Sequence, residues 1–171
     1  MHKYLSKIYY FVEKFDIDEL QTINKNVAII YRNYQKKVDE KSIISIKQYC
    51  KINNHKFYIS NNLKVAIKLK VDGLYIPSFN RTLNTQNLSK PLNFNIIGSA
   101  HNKIEIRIKE SQGCSLIFVA PIFKVKKKNY FLNIIKFNNL SLNSISKMIA
   151  LGGINNDNIR KINLLNCYGF A

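Results

Sequence analysis

The sequence is short of several things. It has no tryptophan, six glycines, three prolines, three cysteines, and ten acidic residues against 27 lysines and arginines. Each shortage excludes something. Cys50, Cys114 and Cys167 are far apart and odd in number, with no CxxC and no Cys/His cluster. A disulfide framework and a zinc-type site are therefore not expected, and a reducing cytoplasm fits best. No uninterrupted apolar stretch approaches the ~20 residues of a membrane-spanning helix, so no membrane partner is expected. The start, "MHKYLSKIYYFVEKFD", is basic and briefly apolar, but it lacks a small-residue cleavage site and soon meets Glu13, Asp16 and Asp18. It reads as a first strand rather than a signal peptide.

What is present is globular. Hydrophobic residues make up 46% of 171, with ten Phe and ten Tyr. Disorder is excluded by that composition, and the length gives one domain over 1–171. The net charge of +17 raises nucleic acid, anionic membrane or phosphorylated ligands as partners. Yet the lysines are spread along the chain beside abundant Asn and Ile, and the one tight cluster is Lys126–Lys128 with Lys124 just before. That spread favours compositional drift over a nucleic-acid footprint, and no stacking aromatics interleave with the cluster. A basic surface still attracts small phosphorylated molecules.

Short β-type runs alternate with segments of helical period. The runs are 7–12, 26–32, 56–60, 72–76, 94–99, 115–120, 147–152 and 167–171. Between them lie stretches long enough for one helix each, the fourth being weak. "DEKSIISIKQYCKI" puts Ile43, Ile46 and Tyr49–Cys50 on one helical face. "NKIEIRIKESQG" alternates like a strand, but Asn102 with Glu105 makes a helix start and Gly113 a stop, which predicts a helix. "NDNIRKINLLN" opens on Asn/Asp capping chemistry and carries Ile159, Ile162 and Leu165 at helical spacing. Strand–helix alternation with apolar strands means a parallel sheet covered by helices. Eight repeats predict a (β/α)8 TIM barrel in α/β class; six or fewer strands would give an open doubly wound sheet. The length is below that of usual barrels, so a trimmed barrel is expected, ending in its eighth strand.

In such a barrel the functional groups sit at the C-terminal ends of strands. That rule selects Arg32 and Tyr34, Ser60 to Asn62, Pro77, Ser78, Asn80 and Arg81, Ser99 and His101, Pro121 with the Lys124–Lys128 run, and Gly152–Gly153. The glycine pair follows an apolar run and precedes a predicted helix start. It is either a tight turn or a phosphate site, where the backbone comes close and helix N–H groups face an anion. His101 is either a proton-transfer group or a helix-start residue bonding nearby backbone. His2 and His55 read as surface or turn residues. Lys128 is either a diphosphate-binding cation or part of a solvated loop. Arg32 directly follows "VAIIY" and needs a partner, a bound phosphate or a structural carboxylate; the scarcity of acidic residues favours the phosphate.

These segments resemble those of the thiamine phosphate synthase/TenI family. "IIGSAHNKIEI" (96–106) resembles its strand-5 G-x-S-x-H segment, and "LIFVAPIFKVKKK" (116–128) its strand-6 loop. "IALGGINNDNIRKI" (149–162) matches its strand-7 "A-x-GGI…N", and "NCYGFA" (166–171) its last strand. Upstream, "AIIYRNY" (28–34) and "YISNNLKVAIKLKVDGLYIP" (58–77) are similar to strands 2 to 4. The resemblance implies a (β/α)8 barrel that joins a hydroxymethylpyrimidine diphosphate to a thiazole phosphate and releases pyrophosphate, with Mg²⁺. It implies that Arg32 and Lys128 hold the diphosphate, that Gly152–Gly153 hold the thiazole phosphate, and that Ser99 lies near the reacting groups. It places the metal ligands at Asn61 and Asn80, where the family carries Asp; Mg²⁺ remains possible, weakened by the lost carboxylates. Tyr34 stands where the family has a second cation, and Val125 where it has Thr. The resemblance also implies alternatives: a TenI-like isomerase of the thiazole phosphate using His101, or a non-catalytic binder of phosphorylated ligands. A homo-oligomer is possible.

Overall fold

A computed structural model describes residues 7–34, 39–83, 85, 89–126 and 130–171. Eight strands run in the order β1 to β8 and close as a parallel barrel, with helices between them. The chain falls into two compact units, Met1–Tyr75 with Lys90–Asn95, and Ile76–Ser89 with Ile96–Ala171.

The first unit carries β1 (Ile8–Val12), β2 (Val27–Tyr31), β3 (Phe57–Ser60) and most of β4 (Gly73–Ile76). They pair in parallel, with Tyr10 opposite Ile29, Ile30 opposite Tyr58 and Ile59 opposite Leu74. Every residue of β2 is buried, which is why its sequence runs apolar without alternation. Each such Val or Ile contributes about 1.5–3 kcal/mol relative to an exposed one. Three helices interleave with these strands: α1 (Ile17–Gln21), α2 (Glu40–Ile52) and α3 (Leu63–Lys68). Each starts on a side-chain cap, Asp16 to the Glu19 N–H, Asp39 to Ser42 and Asn62 to Val65. In α2 the buried face is Ile43, Ile46 and Cys50, as the spacing predicts. His55 differs from the sequence reading. It is 6% exposed, and its Nδ1 lies 2.8 Å from the Val27 carbonyl oxygen. His2 lies outside the described residues.

The second unit carries β5 (Asn95–Ala100) from Ile96 on, then α4 (Lys103–Ser111), β6 (Leu116–Val119), α5 (Asn133–Leu142), β7 (Lys147–Ala150) and β8 (Gly169–Phe170). Ser99 pairs with Phe118, Phe118 with Ile149, and Ala150 with Phe170. The ambiguous isoleucine run is the helix α4. Asn102 Oδ1 accepts the Glu105 N–H at 3.0 Å, and Gly113 ends the segment at φ 79°. Ile106 is buried while Ile104 is exposed, so the apparent alternation does not correspond to two sheet faces. Among the described residues no helix lies between β4 and β5.

One expectation is corrected. The segment after β7 opens no α-helix. A 3₁₀ helix spans Ile159–Leu164, and no side chain caps it. The Asn-rich stretch before it folds on itself instead. Asn155 Oδ1 accepts the N–H groups of Asp157 and Asn158 at 3.0 and 3.1 Å, and Asn158 Oδ1 accepts the Asn155 N–H at 2.9 Å. Asparagine side chains offer the backbone turns in place of helix. Among the described residues no helix is long and apolar enough to cross a membrane.

Candidate functional site

Arg32 follows β2 directly. Its N–H donates to the Val12 carbonyl at 2.8 Å, and its guanidinium sits 4.3 Å over the Phe11 ring. The pairing fixes where the side chain leaves the strand, and the ring holds its plane. Arg32 and Tyr34 line a cavity of about 600 Å³ with Glu13 and Glu19. Two carboxylates are thus near, yet among the described residues Arg32 forms no ion pair. A guanidinium presents a planar fork of donors matched to phosphate oxygens. In the same unit, Tyr34 stands 3.2 Å from Ser60 Oγ. Asn61 has left-handed backbone (φ 56°), and its N–H donates to the Tyr75 carbonyl at 2.9 Å. Asparagine tolerates that conformation better than most residues.

In the second unit Ser99, the last residue but one of β5, is 7% exposed, and its hydroxyl oxygen accepts the Ser78 N–H at 3.0 Å. That bond leaves the Ser99 proton available to donate. His101 follows at the helix start, and Glu105 Oε2 lies close to both its backbone nitrogen and its ring Nδ1. The ring opens on a groove of about 460 Å³ between α4 and α5, with Lys103, Arg107 and Lys136 around it. Asn80 is committed on both its carbonyls. Its Oδ1 accepts the Leu83 N–H at 3.1 Å, and its backbone oxygen accepts from Lys109 Nζ at 2.6 Å and from Gln112 Nε2 at 3.2 Å.

The glycine pair after β7 has left-handed backbone at both positions, φ 91° at Gly152 and 76° at Gly153. The Gly152 carbonyl accepts the Phe123 N–H at 3.1 Å, and the Gly153 carbonyl accepts Asn158 Nδ2 at 2.7 Å. A Cβ at Gly153 would stand 2.6 Å from the Phe123 carbonyl oxygen. The loops after β6 and β7 are therefore pressed together, and only glycine allows it. With the carbonyls engaged, among the described residues no backbone acceptor faces the N–H groups of Gly152, Gly153 or Ile154. Such consecutive free N–H groups make an anion-binding concavity. The helix-dipole contribution expected from the sequence is absent here, because the 3₁₀ helix begins six residues beyond Gly153. Lys128 lies outside the described residues.

The residues at the implied metal positions do not fit Mg²⁺. Mg²⁺ takes carboxylate and water oxygens in tight octahedra. Asn61 and Asn80 offer amides; the Asn80 Oδ1 is engaged, and an ammonium already sits on its backbone oxygen. Among the described residues no three His, Cys, Asp or Glu gather as a metal group. The strand-end rule reached Ser78 and the helix-start pattern reached Glu105, but sequence reasoning missed what each one bonds, and it missed Lys109 altogether. The Asn102-x-x-Glu105 pattern signals a helix start, yet the Glu105 carboxylate accepts from the His101 N–H instead of completing the box at Asn102; the Ser78 and Lys109 bonds join distant segments.

Fold and loops define the class first: a (β/α)8 barrel with a glycine-built turn and a strand-end arginine, both suited to phosphate. The chain belongs to the thiamine monophosphate synthase family, which it matches over residues 19–171. It is 32% identical over 150 residues to a thiamine-phosphate synthase of Prochlorococcus marinus, covering 84% of this chain and 43% of that protein. A thiamine-phosphate synthase of Methanococcus vannielii is 27% identical over 119 residues, 67% of this chain and 56% of that one. The chain thus spans less than half the length of the Prochlorococcus relative. The structure of a thiamine phosphate pyrophosphorylase from Pyrococcus furiosus superposes with a TM-score of 0.71 at 17% identity, over 97% of this chain and 85% of that one. That likeness establishes the barrel fold.

Proposed function

We propose that residues 1–171 act as one barrel domain in thiamine biosynthesis, a thiamine phosphate synthase-type transferase. The hydroxymethylpyrimidine group moves from its diphosphate to the ring nitrogen of a thiazole phosphate, and pyrophosphate leaves. The observation that supports the reading most is the family match, because it runs through both Arg32 and the Gly152–Gly153 turn. Loss of pyrophosphate leaves a cation stabilised by the pyrimidine ring. The protein's part is then to neutralise the leaving group and to align the thiazole nitrogen. Arg32 takes the departing diphosphate oxygens, and Lys128 is assigned the same task by the resemblance. The N–H groups after β7 take the thiazole phosphate. Ser99 donates a hydrogen bond from its hydroxyl to a reacting group while the Ser78 N–H fixes its oxygen. His101 in this reading braces the start of α4.

The test supplies purified protein with both substrates, once with Mg²⁺ and once with EDTA, and follows thiamine phosphate by chromatography. Product in the first arm is the expected result. No product in either arm removes the synthase reading.

A further inference from the structure

Lys109 is 0% exposed. A lysine so placed almost always faces a carboxylate. This one faces neutral oxygens, the Asn80 backbone carbonyl at 2.6 Å and Gln112 Oε1 at 2.7 Å. Among the described residues it forms no ion pair. Gln112 is 3% exposed and completes the clamp, donating from Nε2 to the carbonyls of Asn80 at 3.2 Å and Leu83 at 2.9 Å. The buried Thr85 hydroxyl donates to the Gln112 backbone carbonyl. One ammonium and one amide therefore tie the segment after β4 to α4.

The wall of the barrel is thinned to admit this stem. A Cβ at Gly98 of β5 would stand 2.9 Å from Lys109 Cδ and 2.9 Å from Cys114 Sγ. Burial pulls the Lys109 ammonium below the ordinary lysine value, so the position has a cost that a leucine or methionine would not carry. What the lysine supplies in return is a positive charge beside Asn80. Asn80 is one of the two positions at which the resemblance places a metal, and the amide there is already turned inward onto the Leu83 N–H. An ammonium and a divalent cation cannot share so short a range, since like charges in a low-dielectric site repel strongly.

We infer that Lys109 is the built-in cation of the turn at 77–83, holding Asn80 in place without a divalent ion, so that this turn takes no metal of its own. Lys109 is a positioning residue. It sets the turn that carries Ser78, whose N–H fixes Ser99. The inference rests on the proposed site for the meaning of Asn80, but its test needs no turnover.

Hydrogen–deuterium exchange of the peptide spanning 77–83 is measured in the wild type with and without MnCl₂. Unchanged exchange is expected, and protection by Mn²⁺ overturns the inference. In Lys109→Met the same peptide exchanges about tenfold faster, as a lost buried hydrogen-bonded tie predicts, while β6 and β7 peptides keep their rates. Wild-type exchange in that variant overturns the inference. Should Lys109→Met not fold, Gln112→Leu removes the other half of the clamp and gives the same readout. A Lys109→Met/Asn80→Asp variant separates a charge from a simple tie. Mn²⁺ restores its loop protection if the ammonium stands in for a metal, and a loop that stays fast in Mn²⁺ sinks that role. A protein with these exchange patterns but no thiamine phosphate product keeps this inference and loses the synthase reading.

Discussion

Glu105 Oε2 lies 2.8 Å from the backbone nitrogen of His101 and 2.9 Å from its ring Nδ1. One carboxylate oxygen thus holds both ends of the residue that precedes the Asn102 cap. Burial raises the Glu105 carboxyl, but the two His101 contacts and the Arg81 charge outweigh it, and the group titrates below its ordinary 4.5. A carboxylate depressed by folding contributes stability that is full above its unfolded value and is lost as pH falls through the folded one. Urea midpoints of the wild type and Glu105→Gln therefore differ most above pH 4.5 and converge in acid.

Replacing His101 by alanine removes one contact to Glu105. About 1 kcal/mol of stability is lost, and thiamine phosphate forms at a rate within about threefold of wild type. Initial rates and thermal melts read both. A rate loss of about a hundredfold or more would make His101 a proton-transfer group of that reaction, whereas loss of thiazole phosphate isomerisation in the variant would favour the isomerase reading.

Gly153→Ala brings a Cβ to 2.6 Å from the Phe123 oxygen and 2.8 Å from that of Lys124, at a φ of 76°. Backbone strain and clash together destabilise by about 1–3 kcal/mol. Calorimetry checks this, and KM for the thiazole phosphate rises in the variant that still folds.

Arg32→Ala removes a guanidinium that makes no carboxylate ion pair among the described residues. Inorganic pyrophosphate binds about ten- to a hundredfold more weakly by titration calorimetry, as expected for a lost charge-assisted contact. The melting temperature moves little, since the main-chain bond to Val12 stays.

Burial pushes Cys50 and Cys114 up to about 12, while Cys167 is half-buried. Thiolate is the reactive form. In native protein at pH 8 a thiol-specific disulfide reagent reaches Cys167 alone, and unfolding in urea releases the other two.

Much of the barrel was legible because its signals are local. The unbroken apolar run of β2 and the Asn102–Glu105–Gly113 frame of α4 each lie within a dozen residues. The segment after Gly153 was misread for a local reason too, since Asn155 and Asn158 had a second option in turns and took it. Lys109 was illegible in principle. A lysine on a helix reads as solvated, and the partner that buries it, Asn80, lies 29 residues away. The strand-end rule found Arg32, Ser99 and the glycine pair, because barrel topology fixes which residues end a strand. It could not find the bonds that set them, such as Ser78 to Ser99.

The interlocked asparagines at 155 and 158 have one more consequence. Together with the Asn158 amide on Gly153, they freeze the shape of the turn as the chain folds. An anion arriving at its N–H groups meets a loop that has already lost its conformational freedom. In the proposed reading, association then spends little entropy on ordering it, and the preformed turn itself adds affinity.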